Sequence, residues 1–150
     1  MSKVVVVGAG ASGIVAALEA CQNNKVILID SNDKCGKKLL ITGNGHCNYW
    51  NENISIDKYE TDDINTLEKI ISEENKNKVL SYLESIGIYP KIKNGYYYPY
   101  SNLSNSIKEA LLKEASLKGV KIKTDYLVKD IKKINNRFII NNEIECDYVI

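Results

Sequence analysis

Apolar residues change their period several times along this chain, and each change marks an element. Lys3 to Val7 is a β-branched run without alternation, the pattern of a central parallel strand buried on both faces. After the glycine-rich stretch Gly8 to Gly13, the residues Ile14, Val15, Ala17, Leu18 and Cys21 recur at helical spacing as far as Asn23-Asn24. Lys25 to Ile29 is a second apolar run, closed by Asp30. Together these make a βαβ unit of about 30 residues. Residues 31–53 keep no period and are rich in Gly, Lys and Asn. They predict a long loop with one helical turn around Lys37 to Ile41, and loops of that length in compact domains tend to be functional.

Further on, Ile64, Leu67, Ile70 and Ile71, then Val79, Leu80, Leu83 and Ile86, predict two short amphipathic helices, the second stopped by Gly87. Ile88 to Ile92 and Tyr96 to Tyr98 flank Asn94-Gly95, a strong hairpin signal. Ser106 with Glu109 predicts a capping box for a helix that carries Ile107, Leu111 and Leu117 and ends at Gly119. Val120 to Thr124 is then a strand. Leu127 to Ile134, Arg137 to Ile140 and Ile144 to Ile150 form a small antiparallel set returning to the main sheet. The last five residues, Cys146 to Ile150, are an apolar strand with no turn or polar tail after it, so the chain is expected to stop inside an element, before its fold is complete.

Composition narrows the class. With 150 residues and 44% hydrophobic content the chain can bury the core of one domain. Twenty Lys and Arg against nineteen Asp and Glu leave a net charge of +1, which argues against nucleic acid or an anionic membrane surface as partner. The run Val4 to Val7 is far too short to span a bilayer and no cleavable leader is present, so a cytoplasmic location is expected. Cys21, Cys35, Cys47 and Cys146 are widely spaced without a CxxC pair, as expected of thiols in a reducing compartment.

The chemistry starts at Gly8-Ala9-Gly10-Ala11-Ser12-Gly13. A GxGxxG pattern alone is weak, but this one follows a buried strand, opens an apolar helix and has an acidic residue about 20 positions on, the dinucleotide-binding context. Gly8 permits the tight turn, Gly10 lets backbone approach a pyrophosphate, and Gly13 lets the helix lie close to the strand. Phosphates then sit on the helix N-terminus, where free N–H groups and the helix dipole favour an anion. Asp30 is placed to accept hydrogen bonds from adenosine ribose hydroxyls and to repel a 2′-phosphate, which fits FAD or NAD and not NADP in that half. The alternative for Asp30 is a strand-end Asp capping the next turn. Lys37 and Lys38 offer cations near a pyrophosphate. Gly43-Asn44-Gly45 permits close backbone approach to a flat ring, with N–H donors for the charge that appears on flavin reduction.

Gly36-Lys37-Lys38-Leu39-Leu40-Ile41-Thr42-Gly43-Asn44-Gly45-His46-Cys47-Asn48, with Asn51 after it and Gly95-Tyr96-Tyr97-Tyr98-Pro99-Tyr100-Ser101 further on, resembles the BaiN/RdsA-like (aminoacetone oxidase-like) FAD-dependent oxidoreductases over nearly the whole chain. That resemblance implies FAD as cofactor, with NAD(P)H as a possible electron donor. It also implies cofactor contacts from Gly8, Ala9, Gly10, Ala11, Ser12, Gly13, Asp30, Ser31, Lys37, Lys38, Leu39, Thr42, Gly43, Asn44, Gly45, Cys47 and Asn48, and from Val128 by its backbone at the adenine. The chain departs from the family at His46, usually Arg, and at Tyr96, usually basic, so no bidentate cationic anchor stands at His46. His46 beside Cys47 makes a poor metal set, and Tyr96, Tyr97, Tyr98 and Tyr100 either pack or stack on a ligand.

The expected fold is α/β: a Rossmann-like parallel sheet of the two-dinucleotide-binding-domain flavoprotein type, with a small antiparallel β-meander and a helical insertion, incomplete at the C-terminus. Its core takes in about residues 1–50 and 100–150, and the helix and hairpin insertion about 54–99. The expected function is hydride transfer through FAD, with NAD(P)H or substrate as donor and the small-molecule substrate unidentified. Two alternatives stand beside it, an NAD-binding Rossmann dehydrogenase and a non-catalytic nucleotide-binding fragment. No side chain stands out as general acid or base.

Overall fold

The computed structural model describes all residues 1–150. The chain forms two compact units, residues 1–40 with 111–150 and residues 41–110.

The first unit is built on a four-stranded parallel sheet. Strand β1 (Lys3–Val7) pairs in register with β2 (Lys25–Ile29), from Lys3 opposite Lys25 to Val7 opposite Ile29, and the helix α1 (Ala11–Ala20) connects them. The outer strands come from the far end of the chain, β6 (Lys121–Lys123) beside β2 and β10 (Tyr148–Val149) beside β1, giving the order β10-β1-β2-β6. That is the start of the Rossmann order, with the reversal of strand order between β1 and β10.

The unbroken Val4-Val5-Val6 run is explained by two covered faces. Val6 lies beside α1, whose Ile14, Ala17 and Leu18 are buried. Val5, with Ile27 and Ile29, packs on the other side against Tyr126, Val128, Phe138, Ile140, Ile144 and Cys146. Those residues belong to or adjoin a meander of β7 (Ile131–Ile134), β8 (Arg137–Ile140) and β9 (Ile144–Cys146), paired antiparallel in that order. Each face removes a row of β-branched side chains from water, about 1.5 kcal/mol or more per buried Val or Ile. The expected meander is present, but Leu127 to Asp130 lies outside it: β7 begins only at Ile131.

The second unit contains α2 (Ile64–Ile70), α3 (Glu73–Ser85) and a three-stranded antiparallel sheet of β3 (Trp50–Asn51), β5 (Tyr96–Pro99) and β4 (Pro90–Lys93). Asn94 and Gly95 both have positive φ, the type I′ turn that Asn-Gly favours. Helix α3 ends in a Schellman pair, Gly87 N–H to Glu84 C=O and Ile88 N–H to Leu83 C=O.

Two expectations for α4 (Ser104–Leu117) are corrected. The helix starts two residues before the expected cap, so Ser106 lies inside it and its hydroxyl pairs with that of Ser101 at 2.8 Å. The buried stripe Ser104, Ile107, Leu111, Ala115 shows why: burial at helical spacing extends one turn back from Ile107. Leu117, off that stripe, is 73% exposed. Gly119 does stop the helix, through a second Schellman pair from Gly119 to Ser116 and from Val120 to Ala115.

Candidate functional site

The turn between β1 and α1 gives each glycine a separate reason to be there. Gly8 has φ +103°, open to glycine and strained for other residues. A Cβ on Gly13 would lie 1.8 Å from the Gly8 carbonyl oxygen, so α1 rests directly on the turn. Gly10 differs from both: its φ is −76° and a Cβ there would meet nothing within 4 Å. Nothing in the protein excludes a side chain at Gly10. It is also the N-cap of α1, no side chain caps that end, and Ala11 and Ser12 of the first turn are exposed. The helix therefore offers bare N–H groups and its positive end beside open space, the surroundings an anion needs.

Next to this turn lies a cleft of about 350 Å³ at the carboxyl ends of β1 and β2, within the range of small-molecule sites. Gly8, Ala9, Gly10, Asp30, Ser31, Lys37, Lys38 and Val128 line it, as do Val7, Asn32, Lys34, Gly36, Tyr126 and Leu127. Lys34, Lys37 and Lys38 line it with Asp30; with Lys37 paired to Asp33, two lysines stand against one carboxylate, a net positive wall that suits an anion. A neighbouring cleft of about 320 Å³ has Gly8, Gly10, Ser12, Gly13 and Ile150 in its wall and marks the reversal point between β1 and β10.

Asp30 ties the cleft together. Its Oδ2 accepts the Ala9 N–H at 2.6 Å and its Oδ1 accepts from Asn32, backbone N–H at 2.7 Å and Nδ2 at 2.8 Å. Partial burial pushes the carboxyl up, but the bonds from Asn32 and Ala9 outweigh it and hold Asp30 below the usual carboxylate value, hence ionised. Backbone bonds from Gly36 to the Ala9 carbonyl and from Tyr126 to the Asp30 carbonyl bring the loop after β2 and the segment after β6 to the glycine turn.

Residues 2–150 match the HI0933-like protein Rossmann domain. The chain belongs to that family, the BaiN/RdsA family. Among its curated relatives is the 3-dehydro-bile acid delta(4,6)-reductase of Clostridium scindens, 33% identical over 143 residues, covering 93% of this chain and 35% of that protein. The ribosomal RNA dihydrouridine synthase of Haemophilus influenzae is 26% identical over 137 residues, 90% of this chain and 34% of the relative. The chain thus spans about a third of the length of these family members. Among solved structures, a flavocytochrome c3 fumarate reductase in its open conformation superposes with TM-score 0.69 at 21% identity, over 93% of this chain and 30% of the other, which shows the shared fold.

Of the residues singled out from sequence, Gly8, Ala9, Gly10, Ser12 and Gly13 of the HI0933-like glycine turn and Asp30 and Ser31 at the β2 end converge on the clefts, while Ala11, exposed in the first turn of α1, lines neither. Leu39 is buried and lines neither cleft. Lys37 is held in an ion pair with Asp33 at 2.6 Å. Thr42, Gly43, Asn44, Gly45, Cys47 and Asn48 fall in the second unit. There Gly43, Asn44, Gly45 and Cys47 all take positive φ, and a Cβ on Gly43 would stand 2.8 Å from the Asn48 amide nitrogen, so that bend requires glycine. His46 is anchored within the same unit, Nδ1 2.7 Å from the Asn102 carbonyl and edge-on to Tyr98. Tyr97 packs, its hydroxyl donating to Glu52 at 3.0 Å. Sequence reasoning missed Asn32, Lys34, Tyr126 and Leu127. Asn32, two residues after a strand-end Asp, carried an Asx-turn signal; the other three carried none.

Proposed function

We propose that this chain is the FAD-binding part of a redox flavoenzyme. One observation carries the reading: Gly10 faces open space over an uncapped helix end, where the protein has no steric need of glycine and a pyrophosphate has one. The adenosine half lies in the Asp30 cleft, with Asp30 accepting from the ribose, the Val128 backbone near the adenine, and Lys34 and Lys38 beside the phosphates. The pyrophosphate crosses the α1 N-terminus towards the β1/β10 reversal point. Gly43, Asn44, Gly45, Thr42, Cys47 and Asn48 remain the proposed contacts of the ring half, and Ser31 and Leu39 flank the adenosine half. Bound FAD supplies the hydride chemistry, with NAD(P)H or substrate as donor. What the chain supplies is binding, charge complementarity and a fixed orientation. The names of the relatives and neighbours, among them a reductase, a fumarate reductase and a 3-ketosteroid-delta4-(5alpha)-dehydrogenase, support an oxidoreductase of this kind.

On this reading residues 1–50 and 100–150 form the Rossmann core and 54–99 an insertion, a segment wholly inside the second compact unit. A cytoplasmic setting is supported by four cysteines without a disulfide, and no helix is long and apolar enough to cross a membrane. The test is to purify the intact protein without added cofactor, record its visible spectrum and identify the nucleotide released on denaturation. Two-banded flavin absorbance and released FAD are expected; a colourless protein that binds NAD instead would overturn the assignment.

A further inference from the structure

The Asp30 carboxylate is already heavily used. Oδ2 accepts one N–H, from Ala9, and Oδ1 accepts two, from the Asn32 backbone and the Asn32 amide. An ionised carboxylate has about four acceptor sites, two on each oxygen. Oδ1 is therefore saturated from within the protein and Oδ2 has one site left. The arrangement is braced, because Lys37 Nζ reaches the Asn32 side-chain oxygen at 3.5 Å and is itself fixed to Asp33.

We propose that Asn32 is a positioning residue: by filling Asp30 Oδ1 it makes the carboxylate a single-site acceptor, so that Asp30 recognises one adenosine ribose hydroxyl and not both. The proposal rests on the reading of this cleft as the adenosine site of FAD. A strand-end carboxylate with both oxygens open can take the 2′- and 3′-hydroxyls together. Here the second hydroxyl is left to water, which reaches the cleft freely past Ser31 and Asn32, both exposed. Losing that hydroxyl removes no protein contact, whereas losing the first leaves a charged acceptor short of a donor.

The experiment uses the intact protein stripped of flavin and titrated with FAD and with two analogues whose adenosine lacks the 2′- or the 3′-hydroxyl. One analogue is expected to bind about tenfold more weakly than FAD or worse, as for a hydrogen bond to a charged group, and the other within about twofold. In Asn32→Ala the side-chain donor is gone and Oδ1 can take the second hydroxyl, so the analogue that wild type tolerates is expected to lose affinity several-fold relative to FAD. Comparable large losses for both analogues in wild type would sink the proposal, and so would an unchanged pattern in a folded Asn32→Ala. The wild-type comparison decides even if the variant does not fold. A protein that binds FAD but depends on both hydroxyls removes only the role of Asn32; one that binds no FAD removes the parent reading with it.

Discussion

Three glycines in one turn look alike in sequence and differ in what a methyl group would do. At Gly13 the added Cβ meets backbone, the Gly8 carbonyl, at 1.8 Å, and relief requires lifting α1 off the strand. Gly13→Ala is expected to destabilise the intact apoprotein by about 3 kcal/mol, at the upper end of overpacking costs. At Gly10 the Cβ enters empty space with φ −76°, so Gly10→Ala should cost under about 1 kcal/mol, the loss of a better N-cap residue. Thermal melts of the two apoproteins, followed by FAD titration, separate the roles. Gly10→Ala should melt near wild type and bind FAD at least tenfold more weakly; a Gly10→Ala protein with unchanged affinity would remove the phosphate role from this turn. The motif and Asp30 were legible because their signals are local. Tyr126, Leu127 and Lys34 were not; pairing of β6 with β2 and the carbonyl of Asp30 bring the first two to the cleft from more than ninety residues away in sequence.

Elements were readable in proportion to how locally they are determined. β1, α1 and β2 follow from runs that bury both sheet faces and one helix stripe, and the Asn94-Gly95 hairpin from a turn only those residues adopt cheaply. The two-residue strand β3 was missed because its formation depends on Trp50 and Asn51 meeting Tyr97 and Tyr96 in β5, a pairing more than forty residues away in sequence. The 3₁₀ segment Leu39–Gly45 is broken by positive φ at Gly43 and Asn44, so the single expected helical turn covers only its first part. For α4, Ser106 and Glu109 stand at capping-box spacing and imitate a helix start two residues too late, while the buried stripe from Ser104 to Ala115 decides the structure. Ser106→Ala tests this. A true N-cap serine replaced by alanine costs about 1 kcal/mol, whereas a serine inside the helix gives way to the best helix former. Measured in a Ser101→Ala background, where the Ser101–Ser106 hydroxyl pair is already absent, a stability change below about 0.5 kcal/mol is therefore expected from denaturant unfolding, and a loss of about 1 kcal/mol or more would return the helix start to Ser106.

For the whole molecule, the groups held away from their ordinary pKa set opposite limits in acid and alkali. Asp30 and Asp147 are held low, Asp147 chiefly by the Lys3 N–H at 2.8 Å, so their contribution is present above the unfolded value of 3.8 and fades as pH falls through the folded one. Tyrosines act at the other end and in both units. Burial raises Tyr126 in the first unit and Tyr97 in the second, aided by carboxylate partners Glu143 and Glu52. Tyr49 is the extreme case: burial, with Glu84 nearby, pushes it up to about 12, and its buried hydroxyl has no hydrogen-bond partner. A raised tyrosine pKa means that the unfolded chain loses its proton first, near pH 10, so stability is full below that pH and drains as pH rises towards 12. Tyr49→Phe removes both the titration and the orphaned hydroxyl. The variant should be at least as stable as wild type at pH 7, with a gain of about 1 kcal/mol from the relieved desolvation. Above pH 10 it should lose stability less steeply, with Tyr97 and Tyr126 still titrating. Urea midpoints of the intact protein measured between pH 7 and 11 read both effects at once. A parallel fall in the two proteins would mean that the Tyr49 hydroxyl is hydrated in solution, and a lower midpoint at pH 7 would mean that it has found a partner.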